Sequence, residues 1–366
     1  MTVQARAPVR RFAAGDLRRF GEAVIESLGT PAATAAVVID SLLEADRRGV
    51  ETHGLVRLPS YCRQAADGEV RVEATPTIVR AHGATALVDG RHAFGALTGV
   101  FAMDEAIRRA EECGVAAVSA YHSLHFGSAA YYALRAAERE LIGFAATNTP
   151  GVMAPFGGAE PLLGNNPFAL AATLGDGRPP FSLDMAQTVA ARGRVKLAET
   201  AGEEIPDGWA LDERGRPTTD AAAALAGALL PFGGYKGYGL ALAIELLAGV
   251  LSGAGLSPEL LNTSMTGVPK ARSGASVGTV GNLFLTIDPA CFVGRAEARE
   301  RLTRLADALK ASRPAAGFDE VLIPGEPEAR AAATSDAEGI GLLETTIGAL
   351  RELALERGVA PLPWPS

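Results

Sequence analysis

The spacing of apolar and polar residues predicts a chain in which helices and short strands are mixed throughout. Apolar residues recur every three or four positions in three N-terminal segments, which predicts helices over residues 13–28, 31–48 and 58–66. Gly29 is placed to end the first helix. Thr30 precedes Pro31, so we expect the Thr30 hydroxyl to cap the second helix and Pro31 to open it.

Short apolar runs bounded by turn residues predict the strands. They are two short strands within residues 77–90 around a turn at His82 and Gly83, and further strands over 115–121, 142–148, 282–288 and 320–326. Helical spacing predicts helices over residues 97–113, 128–140, 188–199, 221–228, 295–310 and 337–357. We expect the last helix to pack back against the N-terminal helices. The regular alternation of a doubly wound sheet is missing after residue 148.

Residues 150–184 form a long stretch rich in glycine and proline, with only short strand-like pieces such as FALAATL and FSLDM. Polar turns lie in and beside this stretch at NTP (148–150), GNNP (164–167) and DMA (184–186). A long irregular stretch inside a compact domain is more often functional than idle. These turns therefore indicate a ligand surface made from backbone groups and small side chains.

The composition argues against several classes of protein. The 366 residues include 42 Asp and Glu against 34 Lys and Arg, a formal charge of −8, which disfavours a general nucleic-acid binder. No apolar stretch reaches the roughly 18 residues of a membrane span, and the start MTVQARAPVRRF lacks the apolar core of a signal peptide. Cys62, Cys113 and Cys291 are widely spaced, which predicts buried thiols rather than disulfides or a metal site. We expect a soluble cytoplasmic protein.

Glycine is in clear excess, since 42 of 366 residues is about 11%, against roughly 7% in average usage. A Rossmann dinucleotide unit would show G-x-G-x-x-G directly after a strand, and the G-x-G pairs at 253–255 and 339–341 lack the third glycine. A Walker loop is absent as well, because Lys236 precedes Gly237 and no Ser or Thr follows it. Both common nucleotide-binding folds are therefore disfavoured.

The loop PFGGYKGYG (231–239) stands at the head of a strongly apolar helix. Free N–H groups and the positive end of a helix attract anions, and Lys236 adds a full charge. These features indicate a phosphate or carboxylate site. The alternative is a glycine-rich turn into a buried helix, with a solvated lysine.

Two histidines lie in segments that suggest proton transfer. His53 follows Thr52, and Arg57 lies four residues further on, so that on a helix His53 and Arg57 share one face. A group with a near-neutral pKa beside a carboxylate-binding guanidinium suits a 2-oxo or 2-hydroxy acid, whereas the alternative is a capping Thr and a core histidine. His125 follows a buried strand at a helix entry and forms H-x-x-H with His122. No acidic or thiol ligand follows at a familiar spacing, so a ligand-facing histidine is favoured over a metal site.

These segments resemble the malate/L-lactate dehydrogenase family, whose nicotinamide-binding fold is not a Rossmann fold. The matching segments, between about residues 46 and 326, are DRRGVETHGLVRLPSY, HSLHFGSAAYY, TNTPGVMAPFGG, GNNPFAL, LDMA, IPDGWALDERGRPTTD, LPFGGYKGYGLALAIELLAG and VLIPGE. The resemblance implies a mixed α/β homodimer with a mostly antiparallel sheet. It implies a helical substrate and dimerisation part, residues 1–75 with 311–366, and a cofactor-binding and catalytic region, residues 76–310.

Carried over to this sequence, the resemblance also implies catalytic and substrate-binding residues. His53 and His125 would be the acid/base groups, and Thr52, where the family more often has Ser, would relay a proton. Arg57 would hold the substrate carboxylate. Asn165, where relatives often have Thr, would lie near the substrate.

For the cofactor, NAD or NADP, the resemblance points to several separate segments. The implied residues are His125, Phe126, Gly127, Thr149, Asp184, Met185, Ala186, Tyr235, Lys236, Gly325 and Glu326. Lys236 would contact the dinucleotide, in agreement with the anion site inferred from its loop.

The resulting hypothesis is an NAD(P)-dependent oxidoreductase that transfers a hydride between nicotinamide and a small 2-hydroxy or 2-oxo acid. A second hypothesis changes the substrate to a cyclic ketimine such as piperideine- or pyrroline-2-carboxylate, because the same carboxylate clamp and proton donor serve a C=N bond. A third is a non-catalytic metabolite-binding protein that uses the PFGGYKGYG loop to hold a phosphate. In all three the expected partner is a small molecule, with no nucleic acid and no membrane.

Overall fold

The computed structural model describes residues 9–260 and 280–363. Its α-helices are α1 (Ala14–Glu26), α2 (Ala32–Arg47), α3 (Leu58–Ala66), α4 (Gly95–Cys113), α5 (Ala129–Ala137), α6 (Arg192–Ala201), α7 (Ala221–Ala226), α8 (Tyr235–Ile244), α9 (Arg295–Lys310), α10 (Glu326–Glu338) and α11 (Glu344–Arg357). Its strands are β1 (Val9–Phe12), β2 (Thr77–His82), β3 (Thr85–Asp89), β4 (Val115–Ser123), β5 (Ile142–Thr147), β6 (Phe168–Ala172), β7 (Phe181–Met185), β8 (Ala210–Leu211), β9 (Pro217–Thr218), β10 (Ala228–Leu229), β11 (Val280–Ile287) and β12 (Ile340–Leu343). The first eight residues, on which the signal-peptide prediction rests in part, lie outside the described residues.

Seven of the described strands form one sheet in the order β2-β3-β4-β11-β5-β6-β7. Only β3 and β4 are parallel neighbours, and every other pair in this sheet is antiparallel. A Rossmann sheet is parallel. The predicted mixed α/β fold with a mostly antiparallel sheet is therefore confirmed.

Helices α4 and α5 pack on this sheet around a core that contains Met103, Tyr132 and Phe284. Many of the other core positions are alanine, which lets helix and sheet approach closely. The approach of α5 to β5 is closest to its limit at Gly143, because a Cβ there would lie 2.4 Å from the Ala133 carbonyl oxygen of α5. The tight layer fixes the position of the β4–α5 loop, which contains His125.

A second core joins the two ends of the chain. It contains Leu17, Ile39 and Leu58 from the N-terminal helices together with Leu350 from α11. Strand β1 pairs antiparallel with β12, which fastens the same two segments. The prediction that the C-terminal helix packs against the N-terminal helices is confirmed.

The C-terminal elements differ from the sequence prediction. The predicted strand over residues 320–326 is wrong: residues 320–325 form no strand, and Glu326 begins α10. The predicted helix over 337–357 is two helices separated by β12, because the chain turns at Gly339, whose φ of 92° lies in the left-handed region. Pairing with β1 draws residues 340–343 into a strand that helical spacing does not show.

Three smaller predictions are also corrected. The Thr30 hydroxyl has no hydrogen-bond partner among the described residues, so it does not cap α2, at whose N-cap position Pro31 stands. Cys62 is buried as expected, but Cys113 and Cys291 are exposed. The helix predicted to start at residue 188 starts at Arg192, because residues 187–189 instead hydrogen-bond to neighbouring loops. Within residues 9–260 and 280–363, no helix is long and apolar enough to cross a membrane.

Candidate active site

The segment Thr52–Arg57 leads into α3 as two consecutive 3₁₀ turns, Glu51–His53 and Leu55–Arg57, rather than as the α-helix considered above. Arg57 Nε donates a hydrogen bond to the Thr52 carbonyl oxygen at 2.6 Å. The Thr52 hydroxyl lies 2.9 Å from His53 Nδ1. The turns thus bring the three predicted residues into one connected group.

Asp46, near the end of α2, is hydrogen-bonded to the second of these turns. Its Oδ2 accepts a hydrogen bond from the Leu55 N–H at 2.8 Å. Any side chain at Gly54 would overlap the same carboxyl group, since a Cβ there would lie 1.8 Å from Asp46 Oδ1. Asp46 is 5% exposed, and burial raises its pKa to about 8, with Glu51 adding to the rise. Sequence reasoning missed this residue, because nothing in DRRGVETHG marks its first carboxyl as buried.

His125 lies in the loop between β4 and α5 and faces the 3₁₀ turns. Its ring stacks on the ring of His53, with centroids 5.6 Å apart and planes at 21°. The Tyr61 hydroxyl, from α3, lies 2.8 Å from His125 Nδ1. The fold therefore brings together two histidines that are 72 positions apart in the chain, and adds Tyr61, whose orientation the sequence alone leaves open.

Both histidines are half-buried, and their surroundings favour the neutral ring. Burial, and next the positive charge of Arg57, lower the pKa of His53 to about 4. Burial, Arg57 and His53 hold the pKa of His125 well below its usual value. Burial raises the pKa of the Tyr61 hydroxyl, so it too is neutral at pH 7. The group therefore contains two neutral imidazoles beside one guanidinium.

Asp184, on β7, is hydrogen-bonded to the N-terminus of α5. Its Oδ2 accepts from the Ser128 hydroxyl at 2.6 Å and from the Ala130 N–H at 3.0 Å. A negative carboxylate is favoured at the positive end of a helix. Although Asp184 makes these two hydrogen bonds, the residue is exposed. Because Phe126 and Gly127 directly precede Ser128, the strand end with Met185 and Ala186 lies beside the His125 loop.

Thr149 and Asn165 follow and precede neighbouring strands, β5 and β6, and meet at one end of the sheet. The Thr149 hydroxyl donates to Asn165 Oδ1 at 2.8 Å. The Gln187 N–H, just beyond Ala186, donates to the Asn165 carbonyl oxygen at 2.8 Å. These bonds join the two irregular segments that the sequence marked as a ligand surface.

Lys236 and Tyr235 begin α8, as the sequence predicts. Gly233 and Gly234 have φ values of 57° and 62°, a backbone that only glycine adopts readily, and they lead the chain sharply into the helix. Lys236 is exposed, and its ammonium group forms no hydrogen bond or ion pair with another described residue, while Nζ lies 6.0 Å from the Tyr235 ring centroid. A free cation at a helix N-terminus fits the phosphates of a dinucleotide.

Gly325 and Glu326 form a turn against β7. The Ser182 N–H donates to the Pro324 carbonyl oxygen at 2.9 Å, so the turn lies two residues from Asp184 along the strand. Glu326 accepts from Lys310 Nζ at 2.7 Å. Its carboxylate therefore already has a partner in the protein, and the nearby backbone is the freer group for a ligand.

The contacts form a site with a definite chemistry. Two neutral histidines, a guanidinium and a phenol occupy one end of a mixed sheet, next to loops whose exposed polar groups fit a dinucleotide. Within residues 9–260 and 280–363, no cluster of His, Cys, Asp and Glu is placed to hold a metal ion. The fold and site thus have the arrangement expected of an acid/base enzyme built on a non-Rossmann scaffold.

Comparison with known proteins identifies the family. A model described as malate/L-lactate dehydrogenase matches residues 12–351. A solved structure, malate dehydrogenase from Pyrococcus horikoshii OT3, has a TM-score of 0.88 to this chain at 34% identity, covering 99% of this chain and 100% of that one. The chain belongs to the malate/L-lactate dehydrogenase family, and the family assignment made from the sequence is confirmed.

Three relatives illustrate the named activities in the family. L-sulfolactate dehydrogenase from Methanocaldococcus jannaschii is 41% identical over 307 residues, 84% of this chain and 86% of that protein. (2R)-3-sulfolactate dehydrogenase (NADP(+)) from Chromohalobacter salexigens is 40% identical over 276 residues, 74% and 78% of the two chains. Delta(1)-pyrroline-2-carboxylate reductase from Ancylobacter novellus is 37% identical over 320 residues, 87% and 90% of the two chains. The predictions of a dehydrogenase or reductase and of a nicotinamide cofactor agree with these relatives.

Proposed function

We propose that this protein is an oxidoreductase that interconverts a small 2-hydroxy acid and its 2-oxo acid with NAD or NADP. The observation that supports this most directly is the stacked pair His53 and His125 beside Arg57. The nicotinamide would supply or accept the hydride at the α-carbon of the acid. The protein's own residues then have three tasks: binding the carboxylate, moving the hydroxyl proton and holding the cofactor.

Arg57 would bind the substrate carboxylate. Its Nε is already bonded to the Thr52 carbonyl oxygen, which fixes the guanidinium plane. The two terminal nitrogens form no hydrogen bond with another described residue, so a planar N–H fork remains for a carboxylate. This pre-set orientation would place the rest of the substrate against the histidines.

His53 and His125 would exchange the hydroxyl proton. A neutral imidazole accepts a proton, and the low pKa of each keeps it neutral in the free enzyme. Thr52 and Tyr61 each occupy the Nδ1 of one histidine, so Nε2 is the atom of each ring left for the substrate oxygen. Asn165 would contact the substrate from the opposite loop.

The dinucleotide would be held by the segments around the sheet end. The proposed contacts are His125, Phe126, Gly127, Thr149, Asp184, Met185, Ala186, Tyr235, Lys236, Gly325 and Glu326. The exposed, unpaired Lys236 at the start of α8 supports the phosphate part of this assignment.

The test is hydride transfer in H53A and H125A, followed by stopped-flow absorbance of the reduced nicotinamide. We expect each variant to lose a factor of about 10² to 10⁴ in that step. The matched control is H82A, because His82 is exposed on β2, and it should react at the wild-type rate. Wild-type rates in both H53A and H125A would refute the assignment.

A cyclic ketimine is the second candidate substrate. The similarity to a Delta(1)-pyrroline-2-carboxylate reductase favours it, and the Arg57 fork and a histidine proton suit a C=N bond equally well. Steady-state oxidation of NADH and NADPH with a panel of 2-oxo acids and cyclic imine carboxylates separates the two. Preference for the imines by tenfold or more in kcat/KM would replace the first proposal with the second.

We further propose that the protein acts in the cytoplasm as a homodimer, with residues 1–75 and 311–366 as the substrate and dimerisation part and residues 76–310 as the cofactor-binding region. The core that joins both chain ends supports this division. An exposed apolar stripe at Leu242 (49%), Leu246 (58%) and Val250 (58%) lies in the cofactor-binding region, so we expect that region to contribute to the dimer interface as well. Sedimentation should give twice the 37.7 kDa chain mass, and L246E should give monomers. A monomeric wild type would refute the dimer.

A further inference from the structure

Glu245 is a buried carboxylate at one edge of the proposed site, with 6% of its surface exposed. It begins the π-helical turn Glu245–Val250, in which α8 widens by one residue. Such turns often occur at functional sites because they redirect a side chain without ending the helix. The widened turn directs Glu245 toward the loops that follow β5 and precede β6.

The carboxylate accepts four hydrogen bonds, all from neutral donors within the described residues. Oε1 accepts from Asn148 Nδ2 at 3.0 Å and from the Ser257 N–H at 2.8 Å. Oε2 accepts from Asn166 Nδ2 at 2.7 Å and from the Ser257 hydroxyl at 2.5 Å. The two carboxyl oxygens can accept from all four donors, whereas an amide in the same place would set its own N–H against one of them.

The bonds continue to the residues that face the ligand. Asn166 Oδ1 accepts the Thr149 N–H at 3.0 Å, and the Thr149 hydroxyl donates to Asn165 Oδ1. Asn166 is fully buried with a φ of 32°, a left-handed conformation that its neighbours must hold in place. Nδ2 of Asn166 therefore anchors to Glu245 while Oδ1 holds the Thr149 backbone.

Two glycines show how closely the network is packed. A Cβ at Gly164 would lie 2.2 Å from Asn166 Oδ1, and a Cβ at Gly249 would lie 2.8 Å from Asn148 Nδ2. Both glycines thus leave space for the amide groups that reach Glu245. Part of the glycine excess of this chain is explained by this network and not by contact with a ligand.

We propose that Glu245 is a positioning residue that sets the Thr149–Asn165 pair through Asn166. The inference rests on the proposed function, in which Thr149 faces the cofactor and Asn165 the substrate. Glu245 itself touches neither. Its role is to hold both residues on one rigid frame, so that each is presented to its ligand in a fixed orientation.

The test is E245Q, which keeps the size of the side chain but turns one acceptor into an N–H donor. That amide group must face Nδ2 of Asn148 or of Asn166, and the opposed donors displace the loop. We expect KM for cofactor and substrate to rise about tenfold or more, with kcat within about threefold of wild type. The chemical step is spared because His53 and His125 lie on other elements.

This split of KM from kcat separates positioning from simple instability. A destabilised enzyme has a smaller active fraction, which lowers the apparent kcat and leaves KM unchanged. S257A, which removes one donor to Oε2, gives a milder second variant with KM raised by about threefold. E352Q, an exposed Glu→Gln change on α11, is the matched control and should behave as wild type.

A double-mutant cycle with T149V tests whether Glu245 acts on Asn165 through Thr149. Since T149V already breaks the bond to Asn165, adding E245Q should raise KM for the substrate by much less than E245Q does in the wild-type background. Wild-type KM values in E245Q, or a loss in kcat alone, would overturn the inference. Absence of cofactor binding and turnover in the wild type itself would instead overturn the proposed function, so the two failures are distinguishable.

Discussion

Replacing the buried Asp46 by asparagine should change how the stability of this protein depends on pH. Burial raises the Asp46 pKa to about 8 in the folded chain, while the unfolded value is near the ordinary 3.8. Between these two pH values the folded state binds one proton that the unfolded state does not. The free energy of unfolding of the wild type therefore falls as pH rises through this window.

The size of the effect follows from the width of the window. Each pH unit within it lowers the free energy of unfolding by about 1.4 kcal/mol, so the interval from pH 5 to pH 8 corresponds to about 4 kcal/mol. D46N has no such proton to lose. Its amide oxygen can still accept the Leu55 N–H, so it resembles the protonated carboxyl. The free energy of unfolding of D46N, relative to that of the wild type, should therefore rise steadily from pH 5 to pH 8.

Urea unfolding at pH 5, 6, 7 and 8, at one protein concentration, measures the difference directly. D67N is the matched control, because Asp67 is exposed at the end of α3, and its curve should run parallel to that of the wild type. A constant difference between D46N and the wild type over these pH values would show that Asp46 is ionised in the folded protein. The buried carboxyl would then need a different account.

Three further changes probe the same turns. T52V removes the hydroxyl that contacts His53 Nδ1 at 2.9 Å, and kcat/KM should fall about tenfold or more while T52S stays near wild type. R57Q removes a positive charge that lowers the pKa of His53, so an NMR titration should show this pKa higher than in the wild type, and an unchanged value would contradict the assigned cause. G54A forces a methyl group into the Asp46 carboxyl and should lower the free energy of unfolding by about 2 kcal/mol or more in a urea titration, whereas G348A, at an open position on α11 whose φ is not positive, should cost less.

Local pattern predicted most of the elements but not those whose form depends on distant partners. The helix over 295–310 and the hairpin over 77–90 have signals in their own residues, and the structure confirms both. Strand β12 exists because it pairs with β1 more than 300 residues away, and no window around Ile340 contains that information. Where a residue's state is decided across the fold, periodicity fails.

The same limit applies within the site. Motif resemblance placed His53, Arg57 and His125 together, and the structure gives their stacking and contacts. Asp46 and Glu245 were missed, because a carboxyl looks the same in sequence whether water or backbone amides surround it. The sequence marks them only indirectly, through glycines. Gly54 stands where a side chain would meet the Asp46 carboxyl, and Gly249 stands where a side chain would meet Asn148, the amide partner of Glu245.

The position of Arg57 connects recognition of the substrate to proton transfer. Its charge is among the causes that lower the pKa of both His53 and His125. A bound carboxylate would offset that charge and remove this part of the lowering, while the larger effect of burial would remain. A compound without a carboxylate would leave the Arg57 charge acting in full on the pKa of both rings. This coupling between Arg57 and the histidines depends on the carboxylate and not on the C=O or C=N bond beside it. A 2-oxo acid and a cyclic ketimine would therefore have the same effect on the histidine pKa values. One scaffold can therefore serve both substrate classes, with the choice between them left to the residues around the rest of the molecule.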